Sequence, residues 1–314
     1  MPLDPGIAAV IQKVKDANAK PRWEGTAQEG RDGYLAFTFG TRTPEQTVPV
    51  AKVDNIHIPG PAGAMQARVY TPEGSGSFPT VVYFHGGGWV IGDLDSHDNM
   101  CRAVCKGSQA VVVSVDYRLA PEHRFPAAVD DALAATQWVI ANAAQLGGNN
   151  RIGIAGDSAG GNLSAAVTLL LRDTPQAHAI QAQFLIYPAV DHLGAGHASI
   201  DENATGYLLE KRSMEWFYDH YTDQKVDVTD PRLSPLQATS FAKLPPALIV
   251  TAEFDPLRDE GEAYGRALQA AGVPTTTTRY NGLVHAFFDM GRWSAGAQRA
   301  IDESTAQFGR MLRA

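Results

Sequence analysis

Two periods of apolar residues alternate along the chain: short β-branched runs, and longer stretches in which apolar positions recur every three or four residues. That alternation is the pattern of an α/β sheet. "VDNIHI" and "MQARVY" predict an opening pair of strands, while "TVVYFH" and "AVVVSVDY" read as strands buried on both faces. A helix is expected from about Pro126, where Val129, Leu133, Ile140 and Ala144 repeat at helical spacing and "LGGNN" stops it. "RIGIAGDSAGG" predicts a strand running straight into a turn and the helix "NLSAAVTLLLR". Strands follow at "QAQFLIYP", "PALIVTAE" and "TTTTRY", with a helix around "GEAYGRALQAAG" between the last two. From Trp293 to Leu312, Ala297, Ile301, Phe308 and Met311 share one helical face.

Two regions interrupt the alternation. Residues 1–45 begin with a helix signal, Asp4 as N-cap and Pro5 at the first helical position, with Ile7, Val10, Ile11 and Val14 on one face. Residues 190–242 include the aromatic stretch "LLEKRSMEWFYDHYTD", also helical in pattern. The pattern leaves open whether the two join as a lid over one edge of the sheet or decorate the core separately. The remaining residues, 46–189 and 243–314, read as two parts of one core.

Composition narrows the function classes. A chain of 314 residues with 44% hydrophobic and 19% charged residues buries one large core. The longest apolar runs, such as "QAVVVSV" and "PALIV", are far too short to span a bilayer, and Asp4 stands where a signal peptide carries a cation. Membrane insertion and secretion are not expected. A formal charge of −8 without a Lys/Arg cluster argues against nucleic acid as a partner. Cys101 and Cys105 lack the spacing and companion ligands of a redox or metal site, so reduced thiols in a cytoplasmic protein are expected.

The chemistry centres on "GDSAG", Gly156 to Gly160, set between a predicted strand and a helix. A serine on such a sharp turn is strained, exposes its Oγ and needs small neighbours two positions either side, which defines a nucleophile elbow. A serine hydroxyl also needs a base, oriented by a carboxylate, in the chain order Ser, Asp or Glu, His. Of the five histidines after Ser158, only His285, just after "TTTTRY", has the setting of a loop at the end of the sheet. His192, His197 and His220 lie in or near the aromatic insertion, and His178 precedes a strand. "LIVTAEFDPLRDEG" offers Glu253, Asp255 and Asp259 as the acid, and Asp255 is favoured for its intermediate loop position. The three glycines after His85 fit the same picture: the bare backbone of Gly87 and Gly88, with Ala159 after the serine, supplies N–H groups to an oxyanion. His85 itself reads as an organiser of that turn.

Together "HGGGW", "DYRLAPEHRFPAA", "GDSAGGNLS", "DPLRDEG" and "HAF" resemble the hormone-sensitive lipase family of α/β-hydrolases, in particular its bacterial carboxylesterases. The resemblance covers roughly residues 50–314, and Asp157 places the chain in the GDSAG subgroup. It implies an α/β-hydrolase fold: an eight-stranded, mostly parallel sheet flanked by helices, with a helical cap built from the N-terminus (1–45) and an insertion after the sixth strand (190–242). Carried over by motif, Ser158, Asp255 and His285 form the triad and Gly87, Gly88 and Ala159 the oxyanion donors. In "YRLAPEHRFPAA", Arg118, Glu122 and Arg124 read as a structural hydrogen-bond and ion-pair network beside the oxyanion turn.

The expected reaction is acyl transfer through a covalent serine ester, on small-molecule esters of short to medium chain, with no metal or organic cofactor and with a monomer or homodimer as the working form. Two other readings stand beside it. The same triad serves an amidase or peptidase, and a noncatalytic small-molecule receptor exists in related plant proteins that lack the catalytic histidine. His285 is present here, which argues against the receptor.

Overall fold

The computed structural model describes residues 1–223 and 225–314. Helices α1 (Pro5–Asp16) and α2 (Ala27–Thr38) precede an eight-stranded sheet of β1 (Lys52–Gly60), β2 (Gly63–Thr71), β3 (Phe78–Phe84), β4 (Val111–Val115), β5 (Gly148–Asp157), β6 (Ile180–Ile186), β7 (Ala247–Phe254) and β8 (Thr275–Val284). Between and after the strands run α3 (Asp98–Ser108), α4 (Ala127–Asn142), α5 (Ala159–Leu171), α6 (Ala198–Glu202), α7 (Lys211–Tyr221), α8 (Arg258–Ala270) and α9 (Ala295–Arg313). The order across the sheet is β1-β2-β4-β3-β5-β6-β7-β8. β1 to β2 and β2 to β4 are antiparallel, and every other pairing is parallel.

The central strands are buried on both faces, which is why "VVYF" and "VVVSV" are unbroken apolar runs rather than alternating ones. One face packs on α4, α5 and α8, the other on α3 and α9. In α4 the buried apolar residues are Ala128, Val129, Ala132, Ala135 and Val139, while Leu133 and Ile140 sit half-buried on the flank. Of the face expected from the sequence, Val129 is buried as expected and Ala144 is exposed, and the buried alanines let the helix lie close to the sheet. The expected stop at "LGGNN" also differs in part, because Gly148 to Asn150 already belong to β5. In α9 Leu312 rather than Met311 completes the buried face.

The two N-terminal helices take separate places, and α2 is the one that meets the second irregular region. Asp4 caps α1 by accepting the N–H groups of Gly6 and Ile7, and Ile7 and Ile11 bury with Val284, Met290 and Ala297, while Val14 faces solvent. α2 lies elsewhere, with Ala27 in the same apolar cluster as Ile91, Trp216 and Phe217 of the turn after β3 and of α7. Cys101 and Cys105 are free and buried, their thiols pushed up by burial, Cys105 to about 12.

Candidate active site

Strand register sets the site. Phe84 at the end of β3 pairs with Gly156 of β5, so the glycine turn leaves the sheet beside the elbow. Across the sheet Phe254 of β7 pairs with Val284 of β8, so Asp255 and His285 each lie one residue beyond a paired position. A bulge makes that alignment: Ala252 pairs with Tyr280 and Phe254 with Val284, leaving two extra residues on β8. Gly282 in the bulge has φ of 79° and donates its N–H to Glu253 Oε2 at 2.7 Å.

Ser158 occupies the junction of β5 and α5 with φ 54° and ψ −117°, a backbone conformation that costs energy for a residue with a side chain. Its N–H donates to the Ile186 carbonyl at 2.8 Å, so the strained turn is pinned to the neighbouring strand. A Cβ on Gly160 would run into the Phe84 carbonyl, and one on Gly156 into the Gly160 carbonyl, which is why the neighbours two away are glycine. The Ser158 side chain does not cap α5 and is left for other partners.

His285 Nε2 lies 3.1 Å from Ser158 Oγ, and His285 Nδ1 lies 2.8 Å from Asp255 Oδ2. Asp255 is fully buried, and its other oxygen accepts the Leu257 N–H at 2.8 Å. The Tyr187 ring packs against the imidazole with centroids 4.6 Å apart. The other two carboxylates are employed differently. Glu253 holds the bulge, and Asp259 accepts the Ser199 N–H at 2.9 Å while pairing with Arg258. Among the other histidines, His197 pairs with Asp191 at 2.9 Å, His220 packs on Trp216, and His178 is exposed.

The turn after β3 takes φ of 114° at Gly87 and 58° at Gly88, and a Cβ on Gly88 would meet the Phe217 ring. Val90 and Ile91 donate to the Gly87 carbonyl, whereas the N–H groups of Gly87, Gly88 and Ala159 donate to no acceptor among the described residues. His85 is buried, stacks on Tyr117 at 4.3 Å and places Nδ1 2.7 Å from the Gly86 carbonyl. It anchors the turn as the sequence suggested.

Asp157 has a part that sequence reasoning did not assign. Its Oδ1 accepts the Gly86 N–H at 2.9 Å and the Tyr83 hydroxyl at 2.8 Å, and its Oδ2 lies 3.6 Å from His97 Nε2. The residue before the serine thus holds the start of the glycine turn. Burial would raise the Asp157 carboxyl, but His97 and the hydrogen bonds keep it below its ordinary value. Burial would likewise lower His97, but Asp157 keeps it above its ordinary value, whereas burial takes His85 down to about 4. Of the two histidines, His97 is the one that holds a proton more readily. Its partner Asp157 lies far along the chain, so no local pattern around His97 points to it.

At Ser158 a cavity of about 30 Å³ remains, walled by Trp89, Leu209, Met214, Phe217, Tyr218 and Leu257. A larger cavity of about 520 Å³ lies between α2 and the turn, lined by groups such as Arg31, Asp93, Asp116 and Glu122 and by neither Ser158 nor His285. The apolar space at the serine is the one that suits a reacting acyl group.

A mostly parallel eight-stranded sheet with a serine elbow at the end of its central strand and an acid and a histidine after its last two parallel strands defines an α/β-hydrolase. Residues 81–289 match the sequence pattern of the family described as alpha/beta hydrolase fold, and the chain belongs to that family, in its hormone-sensitive lipase branch. It is 46% identical over 257 residues to the carboxylic ester hydrolase LipN of Mycobacterium tuberculosis, covering 80% of this chain and 68% of that protein. It is 35% identical to an arylesterase of Saccharolobus solfataricus, over 100% of this chain and 99% of the relative. The solved structure of a hyperthermophilic esterase from the archaeon Pyrobaculum calidifontis matches with a TM-score of 0.93 at 39% identity, covering 100% of both chains. Among the described residues no helix is long and apolar enough to cross a membrane.

Proposed function

We propose that the protein is a serine carboxylesterase in which Ser158 is the nucleophile, His285 the general base and acid, and Asp255 the carboxylate that orients the imidazole. The observation that carries this reading is the unbroken hydrogen-bond chain from Ser158 Oγ through His285 to buried Asp255, starting at a strained elbow. His285 takes the serine proton as Oγ attacks the ester carbonyl. The developing oxyanion is met by the N–H groups of Gly87, Gly88 and Ala159, which have no other acceptor among the described residues. Collapse of the tetrahedral intermediate expels the alcohol with the proton from His285. A water activated by the same histidine then attacks the acyl-enzyme, and the acid leaves.

Substrate preference follows from the wall. α2 and residues 190–242 act as the cap, with α7 providing Met214, Phe217 and Tyr218 directly and α2 supporting them from behind. Each methylene buried against this apolar wall contributes about 0.8 kcal/mol, so short to medium acyl chains are preferred until the space is filled. A space of about 30 Å³ demands that Met214 and Phe217 turn aside for longer chains. A reducing, cytoplasmic location fits the unpaired, buried thiols. The test is kcat/KM on p-nitrophenyl esters of increasing acyl length, together with a matched ester and amide. Rise and fall with length and preference for the ester are expected. Faster turnover of the amide would favour an amidase, and tight binding without turnover a receptor.

A further inference from the structure

The segment Tyr117–Pro126, which the reaction itself does not use, joins the glycine turn to both irregular regions. The Tyr117 hydroxyl donates to the His85 carbonyl at 2.7 Å, and the Ala120 N–H to the Trp89 carbonyl at 2.9 Å. On the far side, the Phe125 N–H donates to the Tyr221 carbonyl at 2.8 Å, and the Tyr221 ring stacks on Trp89 at 4.5 Å. Arg31 of α2 enters between these contacts. Its Nε donates to the Val90 carbonyl and its Nη2 to the Ala120 carbonyl, both at 2.9 Å. Its Nη1 and Nη2 also grip the two oxygens of Glu122 at 2.9 and 2.6 Å.

Val90 is therefore held at both ends: its N–H closes the turn onto the Gly87 carbonyl at 3.1 Å, and its carbonyl is fixed by Arg31. We infer that Arg31, locked by Glu122, is a positioning residue for the oxyanion hole, holding the turn so that the Gly87 and Gly88 N–H groups stay aimed at the reacting carbonyl. The inference rests on the oxyanion reading above. Three successive glycines have no side chains to restrict them, and oxyanion donors are effective only when they need not reorganise. An arginine fork serves two carbonyls and a carboxylate at once, which a lysine cannot reproduce. Glu122 is largely exposed, and an ion pair of that kind adds little to stability, so its effect is expected in rate.

The test compares wild type with Arg31→Met, Arg31→Lys and Glu122→Gln. It measures kcat and KM on a p-nitrophenyl ester, affinity for a chain-matched trifluoromethyl ketone that adds to the serine as a tetrahedral oxyanion, and Tm. Arg31→Met should lower kcat and ketone affinity together by about 10- to 100-fold with KM within about twofold, since small misplacements of catalytic groups cost rates of this order. Arg31→Lys should recover part of the loss, and Glu122→Gln should lose a few-fold with Tm unchanged. Unaltered kcat and ketone affinity in Arg31→Met, whatever its Tm, would overturn the inference; should that variant not fold, unaltered values in Glu122→Gln would do so. Wild type separates the two levels. If it binds the trifluoromethyl ketone no better than the matched methyl ketone, the oxyanion reading itself falls; if that preference is strong and survives in Arg31→Met, only the positioning role falls.

Discussion

Glu253 holds the amide of Gly282 across the bulge between β7 and β8, at 2.7 Å. Two extra residues on β8 bring His285 level with Asp255, so this carboxylate governs where the imidazole stands without touching it. Glu253→Ala should lower kcat by roughly 10- to 100-fold, as expected for a base displaced by a fraction of its bond length, while Glu253→Gln, which keeps an acceptor oxygen, should stay near wild type. Equal activity of the two variants in steady-state assays would show that the bulge holds itself.

Ser158→Ala and His285→Ala should each remove activity by on the order of a millionfold, and the double variant should lose little more, because the triad acts as one unit. Circular-dichroism melts should show intact folds. Wild-type turnover in purified Ser158→Ala would refute the mechanism.

The two aspartates after β7 should separate cleanly. Asp255→Asn should lower kcat by about ten-thousandfold with KM preserved, since the amide favours the wrong histidine tautomer. Asp259→Asn weakens only the tie to Ser199 and Arg258 and should act on stability rather than rate. The reverse ranking in a kinetic comparison would reassign the acid.

The sheet and the chain order of serine, acid and histidine were legible because they depend on local patterns: bounded apolar runs, glycines around a serine, a histidine after a strand. The contacts that align these pieces were not. Asp157 to Gly86 spans 71 residues of sequence, and Arg31 to Glu122 spans 91, so no periodicity or local spacing announces either pair. Glu253 is one of three candidate acids in the sequence, ranked behind Asp255; it does lie at the strand end as expected, and the register with β8 shows that it faces Gly282 instead of His285. Arg118, Glu122 and Arg124 were expected to form one network; they make three separate ties, to Asp131, Arg31 and the Thr222 carbonyl.

The Asp157–His97 pair should leave a signature in stability against pH. His97 sits above its ordinary value of about 6.5, so its charge stabilises the fold below that pH and the contribution disappears as pH rises through the higher native value. Asp157 sits below its ordinary value of about 3.8, so its contribution is present above that pH and disappears as pH falls through the lower native value. The groups facing His97 are Asp157, His85, Tyr34, Asp289 and Asp93. The Tm gap between wild type and His97→Gln should be widest near pH 6 and narrow towards alkaline pH. A gap that widens with rising pH would contradict the assignment of the proton.

Gly88→Ala should abolish most activity, because its Cβ collides with the Phe217 ring and its φ of 58° disfavours any side chain. Adding Phe217→Leu should relieve the collision but not the backbone strain, giving partial recovery in kcat/KM. Wild-type rates in Gly88→Ala would mean that the turn is free to rearrange.

Both cysteines of the chain are sealed inside, against the face of the sheet that carries α3 and α9. Alkylating reagents act on accessible thiolates, and burial denies these two both the access and the charge. A single cysteine introduced on the outer surface of α7 would then be the one thiol that a maleimide dye meets in the folded protein. Fluorescence from that position would report directly on whether the wall over Ser158 opens as an ester enters, with no background cysteine to remove first.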